Sequence, residues 1–198
     1  MTDYVDVSSR LTARGRGEKT PRGLDVESVA EVSSEPVSIG DALAYLRISD
    51  LPSDQARVLE MLISTVREQA ERLTRRLFTR RQVVARWEFW RRRGDLVYPP
   101  VGSVTTVERV ADDGTLTALS GSAYRLNGRA LVLDESAADA EGEGLRVTYD
   151  AGYNSLPAPL KTAMLNDLDS RYDARGTISE ANFSEIPNPS LYQTWRAR

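Results

Sequence analysis

The chain has 198 residues, 40% hydrophobic and 28% charged, with a formal net charge of -3, proportions that fit a soluble globular protein of one domain with extensions or of two small domains. It contains no cysteine and no histidine, which excludes disulfides, thiolate nucleophiles, zinc–thiolate sites and the one side chain whose unperturbed titration falls between pH 5 and 8. No apolar run approaches the roughly 20 residues that span a bilayer, and the start MTDYVDVSSR lacks the apolar stretch of a secretion signal, so the expected location is the cytoplasm of the cell that makes it, with no membrane partner.

Residues 1–36 are rich in Ser, Arg, Glu and Gly, and the run RLTARGRGEKTPRG has no apolar period. Such a stretch buries too little to offset its ordering entropy, and it reads as an extended N-terminal arm. Pro36 closes it. Ser38 and Asp41 then have the spacing of a capping box, with Val37 placed to staple against Ala42, and Ile39, Ala42, Leu43 and Leu46 give a short helix over 38–48. The link SDLPS is short enough to make an antiparallel hairpin with the next helix.

That next helix, predicted over 53–78, is the longest element. Leu59, Ile63, Val66, Ala70, Leu73 and Leu77 recur in steps of three and four and line one face. Ser53 is the expected N-cap, and Asp54 sits where the helix dipole favours negative charge. The far end is basic: Arg72, Arg75, Arg76, Arg80 and Arg81.

Beyond it the period falls to two. Val83, Ala85, Trp87 and Phe89 alternate with Val84, Arg86, Glu88 and Trp90, the pattern of a half-buried strand. Further strands are expected at 96–98, stopped by Pro99 and Pro100, at 104–110 before the turn Asp112, Asp113, Gly114, and at 124–126 and 130–133 around a type I′ turn at Asn127 and Gly128. The clearest lies at 145–149, where Leu145, Val147 and Tyr149 face one way. Gly152 breaks it. Pro157 and Pro159 open a helix over 157–175 with Leu160, Met164, Leu168 and Tyr172 on one side, an Asp167 and Arg171 pair, and Gly176 as cap. Residues 177–198 form a second extended arm, carrying Phe183, Ile186, Leu191, Tyr192 and Trp195. Aromatic side chains on such an arm suit docking, on a partner or on their own domain. The fold class is therefore α+β: an N-terminal helical hairpin with one long helix, a small antiparallel sheet or sandwich, a C-terminal helix and extended terminal arms, with the main domain at 37–176.

No constellation points to catalysis. Asp112 and Asp113 are turn residues, the acidic stretch 134–143 lacks the spacing of a calcium loop, and Gly142 and Gly144 precede a strand where a phosphate cradle would open a helix. No catalytic, metal or cofactor-binding residue is expected. The arginines remain. Arg72, Arg76, Arg80, Arg86 and 91–93 suit either a phosphate-tracking surface for DNA or a face paired with acidic groups on a neighbour. With 112–143 strongly acidic, one flank of the subunit complements the other, as head-to-tail association requires.

The order of elements resembles the bacteriophage head-tail connector, or adaptor, family over roughly residues 36–176, in VSIGDALAYLRI, ERLTRRLFTRRQ, YPPVGSVTTVERV, YRLNGRALVL and LRVTYDAGYNSLPAPLKTAMLNDLDSRYDAR. The most specific segments are YPPVGSV and YDAGYNSLPAPLKTA. The resemblance implies a non-enzymatic virion protein of the neck. Its subunits would form a homo-oligomeric ring, a dodecamer, under the portal, extending the DNA channel and receiving the stopper or tail protein. DNA would pass without sequence specificity. Pro100, Val101 and Gly152 would mark corners of the sheet, Tyr153 and the residues to Ala163 the turn into the last helix, and the arm from Thr177 would reach the portal. The partner-binding residues expected on this reading are Arg72, Arg75, Arg76, Arg80, Arg81, Phe183, Ile186, Leu191, Tyr192 and Trp195. Similar adaptors occur in phages, prophages and gene transfer agents. The first helix of the family lies near the chain start, so the N-terminal arm here has no assigned partner. The alternative function is an arginine-rich DNA-binding module.

Overall fold

A computed structural model describes residues 23–88, 92–135, 137, 144–174 and 189–197. The expectations for residues 1–22, Phe89, Trp90, Arg91, Asp139, Glu141, Gly142, Glu143, Gly176, Phe183 and Ile186, and for the side chain of Asp54, fall outside them. The chain divides into two compact units, a sheet unit drawn from residues up to Glu31 and from Arg81–Ala151, and a helical unit drawn from Val32–Arg80 and from Gly152 onward.

The sheet unit contains β1 (Leu24–Val29), β2 (Arg81–Trp87), β3 (Arg93–Asp95), β4 (Val101–Val110), β5 (Leu116–Ala118), β6 (Tyr124–Asn127), β7 (Ala130–Leu133) and β8 (Gly144–Ala151). They form an antiparallel five-stranded sheet in the order β1-β2-β8-β4-β5 and a three-stranded one in the order β3-β7-β6. The alternation of β8 places it at the centre: Leu145, Val147, Tyr149 and Ala151 are all fully buried, opposite Val83, Ala85 and Trp87 of β2 and Val107 of β4, also buried. The Tyr149 hydroxyl donates to the carbonyl of Val97 at 3.2 Å, tying the large sheet to the stretch that follows β3. On the other face Arg146 bridges two strands, bonding Glu27 of β1 at 2.7 Å and Glu108 of β4 at 3.1 Å.

Three expectations are corrected here, and one strand is added. Part of the supposed arm, Leu24–Val29, is the edge strand β1, with Leu24 buried opposite Trp87; a strand made by pairing to residues 54 to 63 positions on leaves little local signal, and its bulge between Val26 and Ser28 blurs what alternation there is. The strand expected at 96–98 is instead Arg93–Asp95, with Leu96 just past it and buried. The short strand β5 was not anticipated. The hairpin turn also shifts by one: Asn127 pairs with Ala130, so Gly128 at φ 63° takes the first loop position, as a type II′ turn requires.

The helical unit holds α1 (Ile39–Leu46), α2 (Ser53–Thr74), α3 (Ala158–Ala174) and a C-terminal 3-10 helix (Pro189–Trp195). The capping box of α1 is present, with the Asp41 amide donating to Ser38 Oγ at 3.0 Å and the Ser38 amide to Asp41 Oδ2 at 3.1 Å. In α2 the cap differs from the expectation. Pro52 holds the N-cap position without a side-chain bond and Ser53 is already helical. The same helix stops at Thr74, four residues early, because Arg75 turns left-handed at φ 55°. Leu77 and Phe78 still reach the core. That core joins Leu59, Ile63, Val66 and Ala70 of α2 to Leu160, Met164 and Leu168 of α3, Val37, Ala42 of α1 and Tyr192. Gly152 makes the corner before α3, at φ 101°, where a Cβ would stand 2.2 Å from the Thr79 carbonyl oxygen.

Candidate interaction surfaces and the C-terminal segment

The basic end of α2 does not form one open patch. Arg72 is exposed on the last turn. Arg75 is the left-handed residue that ends the helix. Arg76 turns back into its own unit, its Nε donating to the Trp195 carbonyl at 2.6 Å and its guanidinium reaching the Tyr153 hydroxyl at 3.3 Å. Arg80 donates to the Asn154 side chain at 3.2 Å, and Arg81 opens β2 in the other unit. The dispersal has a local cause. Once the helix ends at Thr74, the following arginines no longer share a helical face, and Arg76 and Arg80 find acceptors nearby.

An arginine that carried no weight in the sequence reading is the most deeply engaged. Arg67 is buried on α2, bonding Glu35 at 2.8 Å and Glu71 at 3.1 Å. The second oxygen of Glu71 accepts the Phe78 amide at 2.6 Å, so the cluster fixes the turn that leaves α2. The i, i+4 spacing of Arg67 and Glu71 was the available signal; burial of the pair was not visible in it.

The C-terminal aromatics are resolved by position. Tyr192 is fully buried in the core of its own helical unit, its ring centroid 6.5 Å from that of Phe78, and Leu191 and Trp195 pack half-buried around it. Of the two destinations weighed for these side chains, the described structure has the subunit's own core. The segment also caps α2. The Ala197 amide donates to the Thr74 carbonyl at 2.8 Å and Arg196 Nε to the Leu73 carbonyl at 3.2 Å, supplying donors to carbonyls that a helix end leaves unpaired.

Asp167 and Arg171, which act electrostatically on Tyr192, make a polar pair. Asp167 and Arg171 are both buried on α3, with Oδ1 and Nε 3.5 Å apart; neither Asp167 oxygen accepts a hydrogen bond, and the Tyr192 hydroxyl has no hydrogen-bond partner in the protein. Burial raises the Asp167 carboxyl above its ordinary value, against the pull of Arg171. Burial likewise raises the Tyr192 hydroxyl, and the charge of Asp167 adds to it. Among the described residues no group of three or more acidic side chains is placed to hold a metal ion, and no helix is long and apolar enough to cross a membrane.

Protein-family models and curated proteins give no match to this chain. Solved structures do. A chain in the neck of an empty gene transfer agent particle, computed with C6 symmetry, superposes with a TM-score of 0.62 over 86% of this chain and 96% of its own, at 20% identity. The fold is one found in a particle neck. A chain of the native gene transfer agent virion gives 0.63 and 21% identity over 86% and 95% of the two chains. A third, in the neck of the native particle computed with C12 symmetry, gives 0.54 and 20% over 86% and 96%. The match takes in nearly the whole of each of these chains, so the likeness extends to the succession of helices and strands and not to one motif.

Proposed function

We propose that this protein is a structural connector of the neck of a phage-like particle, a ring-forming subunit set between the portal and the stopper or tail and enclosing the passage for DNA. The observation that carries this reading is the superposition on almost the full length of chains from gene transfer agent particles, two of them from the neck. Twelve copies in the ring are the number proposed, supported by the C12 symmetry used for one of those necks and by the sequence resemblance. The reading needs no catalytic residue, cofactor or metal. Its chemistry is association, with the exposed Arg72 among the groups available for a neighbour's acidic flank. The portal would be met by the chain beyond α3, the stopper or tail protein by the opposite side of the ring, and DNA by the lumen without base readout. The expected location is the virion neck, after assembly in the host cytoplasm.

The test is mass and shape together. Light scattering of the purified chain, alone and mixed with its portal, should give a particle near twelve times 22.0 kDa, and image averages of it should show a closed ring with a central hole. A monomer under both conditions would refute the reading. For the alternative of a DNA-binding module, the measurement is duplex affinity against salt: a neutral lumen gives weak binding, whereas a phosphate-tracking surface gives a steep slope that falls when Arg72 and Arg75 become Ala.

A further inference from the structure

The C-terminal 3-10 helix is held by its seat more than by itself. Helices of this type have poor hydrogen-bond geometry and are uncommon beyond three or four residues, yet this one runs from Pro189 to Trp195. Its anchorage is threefold: Tyr192 in the core, the Trp195 carbonyl on Arg76, and the donors of Arg196 and Ala197 on the last carbonyls of α2.

The central anchor is imperfect in a specific way. Phenylalanine would fill the same apolar space beside Phe78. Tyrosine adds a hydroxyl that is buried with no protein partner, within the electrostatic reach of an Asp167 carboxylate that also accepts no hydrogen bond. A buried polar group in that state costs free energy that it recovers when it reaches water. The hydroxyl therefore gains when the segment leaves its seat, while the aromatic ring and the cap on α2 lose. Opposed terms of this kind leave a docked state that opens locally without unfolding the unit.

We propose that residues 189–197 form a releasable latch, closed on the end of α2 in the free subunit and weakened there by the unpaired Tyr192 hydroxyl. Opening exposes Tyr192 and Trp195 together, two side chains suited to anchoring in a protein partner. That use, handing the segment to a neighbouring component of the neck, rests on the proposed function; the latch itself does not.

Hydrogen exchange on the full chain, without any partner, tests it. In the native protein the amides of residues 191–197 should exchange through local opening, faster than those of Leu62, Ile63 and Val66 in α2 and with little dependence on dilute denaturant. Tyr192→Phe should slow them about tenfold, since it deletes the unpaired hydroxyl and keeps the ring. Tyr192→Ala should bring them near the rate of a free peptide while the middle of α2 stays protected. If the latch amides exchange only with global unfolding, or if Tyr192→Phe leaves them unchanged or faster, the latch is refuted. Those outcomes are read on the isolated subunit, so they are separate from whether rings form.

Discussion

Lys161 on α3 places its ammonium 2.9 Å from Oδ2 of Asp41, the same oxygen that receives the amide and the hydroxyl of Ser38 at the start of α1. One carboxylate thus closes a helix cap and ties two helices together. Lys161 and Ser38 together lower the Asp41 carboxyl from 3.8 to about 2. A carboxyl lowered on folding contributes stability that is fully present above its unfolded value and is lost as pH falls through the folded one. Asp41→Asn should therefore destabilise the chain by about 1 kcal/mol at pH 7, and urea titrations should show the gap to the native protein closing between pH 4 and pH 2.

The Asp167 and Arg171 pair behaves in the opposite sense. Burial raises the carboxyl, so its ionised form is the one disfavoured by folding, and neutralising it favours the folded state. Arg171→Met strands a buried carboxylate and should cost about 3 kcal/mol at pH 7. That penalty should shrink as pH falls and Asp167 takes a proton. The double change of Asp167→Leu with Arg171→Met should restore stability to the native level or above it. Chemical denaturation of the three proteins at pH 7 and pH 5 checks all of these.

Arg67 holds three acidic partners, Glu35, Glu68 and Glu71, with its own side chain only 6% exposed. Replacement by Met takes the guanidinium away from the buried Glu71 carboxylate and should cost about 3 kcal/mol. Arg67→Lys keeps the charge and loses the fork that reaches Glu35 and Glu71 together, so an intermediate loss is expected. Thermal melts of both variants distinguish charge from geometry: equal losses would place the whole effect in the fork.

Gly152 has no room for a side chain. At φ 101°, with the Thr79 oxygen 2.2 Å from where a Cβ would be, Gly152→Ala must move the backbone where the chain turns toward α3. A loss of more than about 3 kcal/mol is expected, from the positive φ and the overlap combined. Gly121→Ala, in open space, should change the melting temperature little and serves as the control.

Periodicity in the chain reports which side chains face inward along a single element: it did so for β2 and β8, and for most of the stripes of α2 and α3, where Leu73 and Tyr172 are only partly buried while Leu62, Arg67, Asp167 and Arg171 are buried outside the predicted spacing. Local hydrogen-bonding chemistry was equally readable in the Ser38 and Asp41 box. Both signals are carried by neighbours in sequence, so one chain suffices to read them. What each inward face meets is a different matter. β1 exists because residues 81–87 lie beside it, α2 ends where Arg75 can turn while Glu71 receives the Phe78 amide, and Arg76 and Arg80 go to different acceptors once the helix stops.

The sequence by itself determined the α+β class, the long helix, the central strand and the exclusion of thiol and imidazole chemistry, since composition and short-range spacing depend on covalent order alone. Only the tertiary structure decided that Tyr192 fills its own core, that residues 196 and 197 cap α2, and that Asp167 and Tyr192 are buried short of partners. Those facts depend on which distant groups are left within about 3 Å of one another when the apolar faces close.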